Sequence, residues 1–335
     1  MHAGKSYKFS EFLIWTKRNI YLLIFWSAVP VVLFKVGGLS WLSIPWPVVA
    51  LLGTATAFIV GFKNTQSYNR TVDAQQVWIS ILNSSRAWGT MSRYFLNDPA
   101  ATSDLIRRHI GWLTALRYQM RTPRTWETTS KIYNVDYKRF YCVPEKDVPI
   151  REELAKYLSP AELTGALSSS SPASHILSLQ SKAIKTLFDN KSIIINFYVE
   201  LTKLITALYD QQGKSERIKN FPYPRQYSII NRFFIRLFCF LLPFGMLAEF
   251  DKLNQAVEGI MKGSMVWLVI PFSVIISWMY TSLEQVGESS ENPFEGSAND
   301  VPISHLSRTI EIELMEMMGE TNLPPMVEVK NNIML

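Results

Sequence analysis

The stretch Gly53-Thr-Ala-Thr-Ala-Phe-Ile-Val-Gly-Phe-Lys-Asn-Thr-Gln-Ser-Tyr-Asn-Arg70 begins as an apolar helix and ends as a polar one, with no Pro or loop between the halves. On a helix, residues four apart stack into a row. Gly53, Ala57 and Gly61 form a row of small residues, a surface that lets a neighbouring helix come close. Thr54, Phe58 and Phe62 form the adjacent row, about 12 Å long at roughly 1.5 Å per residue. That row continues into Gln66 and Arg70, and Asp73 lies one turn further on. Two readings of it stay open. The rings face lipid or a bundle core, or they form the apolar girdle of a water-filled path that gates by dewetting, which requires several copies around an axis.

Around this stretch the apolar residues gather into blocks at 20–36, 44–62, 233–247 and 265–283. Most are short of the roughly 20 residues that cross a bilayer, so flanking residues must complete them. Trp26, Trp41, Trp46, Trp267 and Trp278 fit an interfacial belt. The first block has no small-residue cleavage pattern and is followed at once by a second span, so it does not read as a cleavable signal. The expected organisation is a segment 1–19, spans one and two within 20–62, a helical region 63–231, spans three and four within 232–283, and a segment 284–335.

Charge sets the expected orientation. Lys5, Lys8, Lys17 and Arg18 precede span one, and the link 37–43 has no Lys or Arg. Lys63 and Arg70 flank one side of the middle region, and Arg225 and Arg232 the other. By the positive-inside rule both termini and the middle lie in the cytoplasm. The middle carries 23 Lys/Arg against 14 Asp/Glu, whereas the segment after Leu283 has ten acids and two bases. The two segments either pack together or present separate solvated faces. The net charge of +6 is dispersed and accompanied by no nucleic-acid motif, so a nucleic-acid partner is not expected.

Within the middle region, 70–96 and 104–120 read as amphipathic helices, 167–173 as a Ser-rich loop, and 175–212 as one long helix stopped by Gly213. The last 15 residues read as a loose tail, and no stretch has a convincing strand period. His2, His109, His175 and His305 have no metal-ligand spacing, and no Walker, nucleophile-elbow or dinucleotide motif is present. Glu311, Glu313 and Glu316 read as the solvated face of an amphipathic helix rather than as paired catalytic carboxylates. Neither an enzyme nor a metal or cofactor protein is expected. With two cysteines, Cys142 and Cys239, a disulfide framework is not expected either.

Several blocks, in order along the chain, resemble the bestrophin family, particularly its bacterial members. They are Phe12-Leu-Ile-Trp-Thr-Lys-Arg-Asn-Ile-Tyr21, Gly61-Phe-Lys-Asn-Thr-Gln-Ser-Tyr-Asn-Arg70, Gly213-Lys-Ser-Glu-Arg-Ile-Lys-Asn-Phe-Pro-Tyr-Pro224 and Phe238-Cys-Phe-Leu-Leu-Pro-Phe-Gly245. Glu291-Asn-Pro-Phe294, Asn299-Asp300-Val-Pro302 and Arg308-Thr-Ile-Glu-Ile312 complete the series. The resemblance implies an all-α integral membrane protein with four transmembrane helices and a large helical cytoplasmic region. It further implies a homopentameric gated channel around a central pore, in the plasma (bacterial inner) membrane. Thr54, Phe58 and Phe62 would then match the pore neck, with Gln66, Arg70 and Asp73 as vestibule candidates and Ile193, Asn196 and Phe197 as candidates for a cytoplasmic constriction. The permeant ions implied are small and monovalent, chloride or sodium.

Two departures stand out. The segment Glu295-Gly-Ser-Ala-Asn-Asp300 has few carboxylates where animal members bind calcium, so no calcium site is expected. Thr54 stands where relatives usually carry an aliphatic residue, which makes the first layer of the neck easier to wet. The alternative reading is a membrane-anchored helical scaffold or sensor. A secondary transporter finds no support in internal symmetry.

Overall fold

The computed structural model describes residues 1–5, 7–259 and 261–335. The chain is almost wholly helical. Among the described residues no β-strand forms, only isolated bridges such as that between His2 and Ile333. Four helical stretches among the described residues are long and apolar enough to cross a membrane: Phe9–Lys35, Ser40–Phe95, Arg225–Gln255 and Met265–Ser289. The chain divides into two compact units.

One unit comprises Ser6–Asn69 and Pro222–Glu291. It contains α1 (Phe9–Lys35), the first half of α2 (Trp46–Phe95), and, later in the chain, the helices Arg225–Lys252 and Val269–Ser289. Its core joins Leu23, Val31, Val49, Val60, Ile235, Phe238, Leu242 and Tyr280. Several polar groups among the spans find partners within the unit, as an apolar medium favours. The Trp278 ring nitrogen donates to the Thr16 hydroxyl at 3.0 Å, and the Trp26 ring nitrogen donates to the Phe240 carbonyl at 3.1 Å. The helix Arg225–Lys252 exceeds its apolar block at both ends, α1 extends well before its block, and α2 and the helix Val269–Ser289 run on past theirs, because the polar flanking residues keep helical hydrogen bonds.

The other unit comprises Met1–Lys5, Arg70–Phe221 and Asn292–Leu335. After the second half of α2 come α3 (Pro99–Arg121), the short helices α4 (Ile132–Tyr137), α5 (Pro144–Asp147) and α6 (Ile150–Leu154), then α7 (Pro160–Ser168), α8 (Pro172–Asp189) and α9 (Ile195–Asn220). The helices Arg225–Lys252 and Val269–Ser289 are therefore α10 and α11, and α12 (Ile303–Met317) returns to this unit. α3 is buried nearly all round, and Trp78, Ile81, Trp112, Leu116, Ile176 and Leu314 fill the core beside it. Asp98 caps α3 by accepting from the amides of Ala100 and Ala101, and Ser159 with Glu162 forms a capping box on α7.

Three sequence expectations are corrected here. The expected 167–173 loop shrinks to a few residues between α7 and α8, because Ser171 caps α8 and Pro172 opens it. The expected single helix 175–212 is broken. Lys191, at φ 59°, closes α8 as the Ser192 amide donates to the Leu187 carbonyl and the Lys191 amide to that of Phe188. α9 then passes straight through Gly213 to Asn220. The tail is not loose, since Ile333 and Leu335 are buried against Tyr141 and Val143, and the Leu335 carbonyl accepts from the His305 amide at 2.7 Å.

Of the two alternatives for charge, the acidic segment packs on the basic one. Arg86 grips Glu313 with both forks, Arg107 pairs with Glu320 at 2.8 Å, and Arg121 pairs with Asp300 at 2.5 Å. The first two pairs are partly exposed and contribute little stability. The third is buried.

Candidate functional site

In the first unit, the apolar half of α2 turns Thr54, Phe58 and Phe62 outward together. Phe58 is 76% exposed and Phe62 58%. The opposite side of the helix is packed, with Val49, Val60 and Lys63 buried. Gln66, next on the row, is half-buried. Thr54 donates its hydroxyl to the Ala50 carbonyl at 3.0 Å, one turn back, which leaves the hydroxyl lone pairs outward.

The small-residue row divides in two. Gly53 is buried against Phe238: a Cβ there would lie 2.7 Å from the ring. Gly61 has open space at the same position, and Ala57 is exposed. Ala57, Gly61 and the two phenyls border an open groove of about 820 Å³ that is floored by Phe238, Leu242, Ile276 and Tyr280. Behind it, the Tyr280 hydroxyl donates to the Gly53 carbonyl at 3.0 Å. Sequence reasoning found the row and missed this support, because its members lie at least 176 residues beyond Phe62 along the chain.

In the second unit, Arg70 is half-buried and donates to the carbonyls of Ile218 and Phe221 at 3.0 and 3.1 Å. A cation at that position offsets the negative end of the α9 dipole. Asp73 is exposed. The candidates at the start of α9 separate by environment. Ile193 is buried in a small core with Trp88 and Ile205, and Phe197 stacks on Phe95 at 4.0 Å between centroids. Asn196 is exposed, and so are Ile194 and Ile195, at 56% and 53%. The outward residues are thus Ile194, Ile195 and Asn196, of which only Asn196 is among the sequence candidates.

The loop after α11 is closed on itself. Asp300 accepts from the amides of Phe294, Gly296 and Val301 and pairs with Arg121, which also approaches Glu145 at 3.5 Å. Both of its oxygens are therefore engaged by donors of the chain itself. Among the described residues, no group of three or more His, Cys, Asp or Glu is placed to hold a metal ion.

The sequence matches the family described as Bacterial/Fungal Bestrophin protein over residues 18–316. A voltage-dependent anion channel-forming protein of Escherichia coli K12, YneE, is 26% identical over 275 residues, covering 82% of this chain and 77% of that protein. A protein of the same description from Ralstonia nicotianae, RSc3414, is 25% identical over 276 residues, covering 82% of this chain and 78% of its own. The fold is similar to that of a bacterial bestrophin homolog from Klebsiella pneumoniae, with a TM-score of 0.75, 23% identity, and 91% of this chain and 98% of that one covered. The Escherichia coli and Ralstonia relatives are both described as voltage-dependent anion channel-forming proteins. The chain is an integral membrane protein and belongs to the bacterial and fungal bestrophin family.

Proposed function

We propose that the chain is the subunit of a homopentameric, gated channel that passes small monovalent anions such as chloride through a neck lined by Thr54, Phe58 and Phe62. The observation that carries this reading is the outward phenyl row on α2, which runs on into Gln66 instead of another apolar residue. One row cannot enclose a path, so the neck needs copies around an axis, and the open row of Ala57 and Gly61 suits the close approach of a neighbouring helix. Phenyl edges carry partial positive charge, which favours anions over cations in a narrow apolar ring. The description of the relatives as anion channel-forming proteins supports the same choice. Gln66, Arg70 and Asp73 would follow the neck, and Asn196 with Ile194 and Ile195 would form the cytoplasmic constriction. Both termini are assigned to the cytoplasmic side of the bacterial inner membrane, and conduction in this reading needs neither calcium nor another cofactor.

The test is the reversal potential of purified protein in planar bilayers under asymmetric salt, repeated for Phe58→Ala and Phe62→Ala. A shift toward the chloride potential, with flux altered in both variants, is expected. A shift toward the cation potential would overturn anion selectivity. An absence of conductance from folded, reconstituted protein would overturn the channel and favour the scaffold.

A further inference from the structure

The face of α2 opposite the phenyl row carries buried charge. Lys63, next to Phe62 in sequence, is 2% exposed, and its ammonium lies 3.2 Å from Glu291 and 3.4 Å from the Ser228 hydroxyl. Asn64 adds a second tie, donating its amide to the Leu283 carbonyl at 3.1 Å. It lies so close to Gly287 that a Cβ there would fall 2.0 Å from the Asn64 oxygen. On α10, Arg232 reaches Glu284 at 3.4 Å and also pairs with Glu288. Glu284 and Glu288 lie one turn apart on α11, and Glu291 follows two residues beyond its end, so the three acids line the end of this helix. α2 and α10 each set a base against it.

Three membrane helices thus meet through charges where apolar side chains would pack as well. A buried ion pair adds little net stability over such packing, because desolvation offsets the attraction; it does select one register over its neighbours. Consecutive helical side chains diverge by about 100°. A side chain held at 63 therefore fixes where 62 points, and through the unbroken helix where 58 points. Asn231 belongs to the same face of α10, between Ser228 and Arg232. It is 1% exposed, and neither of its amide atoms has a partner among the described residues. A buried amide without a partner among the described residues adds nothing to this register, which leaves the ion pairs as the contacts that select it.

We infer that Lys63 is a positioning residue of the neck: its pairing with Glu291 sets the rotation of α2 and so the direction of Phe58 and Phe62. The inference rests on the neck reading above. It assigns to a residue outside the pore control over how often the neck is open, while the walls of the pore stay the same.

Single-channel recording of purified, assembled protein tests it, with elution volume as the control for assembly. Lys63→Met and Glu291→Gln should each change open probability by about tenfold and leave unitary conductance unchanged. Lys63→Arg should keep open probability, and the exchange Lys63→Glu with Glu291→Lys should restore it. If Phe62→Ala alters flux but assembled Glu291→Gln gates like the wild type, the positioning role fails and the neck stands. If Phe62→Ala leaves flux unchanged, the neck reading itself fails. Should Lys63→Met not assemble, the exchange variant decides, since an assembled exchange with unrestored gating overturns the inference.

Discussion

Tyr280 on α11 donates its hydroxyl to the Gly53 carbonyl on α2 at 3.0 Å, one residue before the first layer of the phenyl row. The Tyr280 ring lies 4.7 Å from that of Phe238, which in turn rests where a side chain at position 53 would begin. Glycine is required at 53 by this approach of a ring, not by backbone conformation. The row is therefore outward because its back is filled.

That packing gives a first prediction. Tyr280→Phe removes one buried hydrogen bond and should lower stability by about 1 kcal/mol. Gly53→Ala must displace the Phe238 ring and should cost more, roughly 1–3 kcal/mol. Thermal unfolding of the detergent-solubilised protein checks both. An alanine at 53 that leaves the transition unmoved would mean that Phe238 does not sit there.

Thr54 is the polar layer of the row. Its hydroxyl hydrogen is engaged by the Ala50 carbonyl, and its lone pairs remain available to water. Thr54→Ile replaces them with methyl groups and makes all three layers apolar, which raises the cost of wetting the neck. Open probability should fall, with selectivity unchanged. Equal open probability and conductance in the two proteins would refute a hydrated first layer.

How much of this was legible in the sequence depends on how local the cause is. The spans and the continuity of α2 were legible because hydropathy and helical period act within a few turns. The stop after α8 was not. It is a left-handed closure made by Lys191, a residue type that does not announce one. Gly213 announced a stop and made none, since Leu208, Gln212, Ser215 and Ile218 carry a buried face past it. At the candidate site, helical spacing grouped Thr54, Phe58 and Phe62 into one row, and it was the family resemblance that implied a neck. Spacing could not separate Ile193, which is buried, from Ile194 and Ile195, which are exposed, because that choice turns on where α9 begins. Nor could it show that Arg70 is bonded to carbonyls about 150 residues away.

Gly213 supplies a prediction of its own. It lies inside α9 with helical backbone, and among the described residues nothing beyond its chain neighbours and the helix's own nearby backbone stands within 4 Å of where a Cβ would be placed. Alanine there forms no clash and removes the entropic penalty of a mid-helix glycine. Gly213→Ala should raise stability by roughly 0.5–1 kcal/mol. Destabilisation on thermal unfolding would restore the view that this glycine ends or bends the helix.

Glu295 predicts a dependence on pH. Its side chain is buried and forms no ion pair among the described residues. Its oxygens meet the Thr128 amide at 2.9 Å and the Thr128 hydroxyl at 2.7 Å. Burial pushes its pKa up to about 8 despite those two hydrogen bonds, and the nearby carboxylates Asp300 and Glu127 push the same way. Between the ordinary carboxyl value near 4.5 and about 8, the folded protein binds a proton that the unfolded chain releases. Stability contributed by this group is therefore full in acid, falls as pH rises through that window, and is constant above it. Glu295→Gln keeps the shape and cannot ionise. The variant should match the wild type near pH 5 and exceed it by a few kcal/mol near pH 9. The difference between their unfolding curves across this range isolates residue 295 from every other titrating group. A difference that stays flat with pH would mean that Glu295 is ionised in the folded protein throughout.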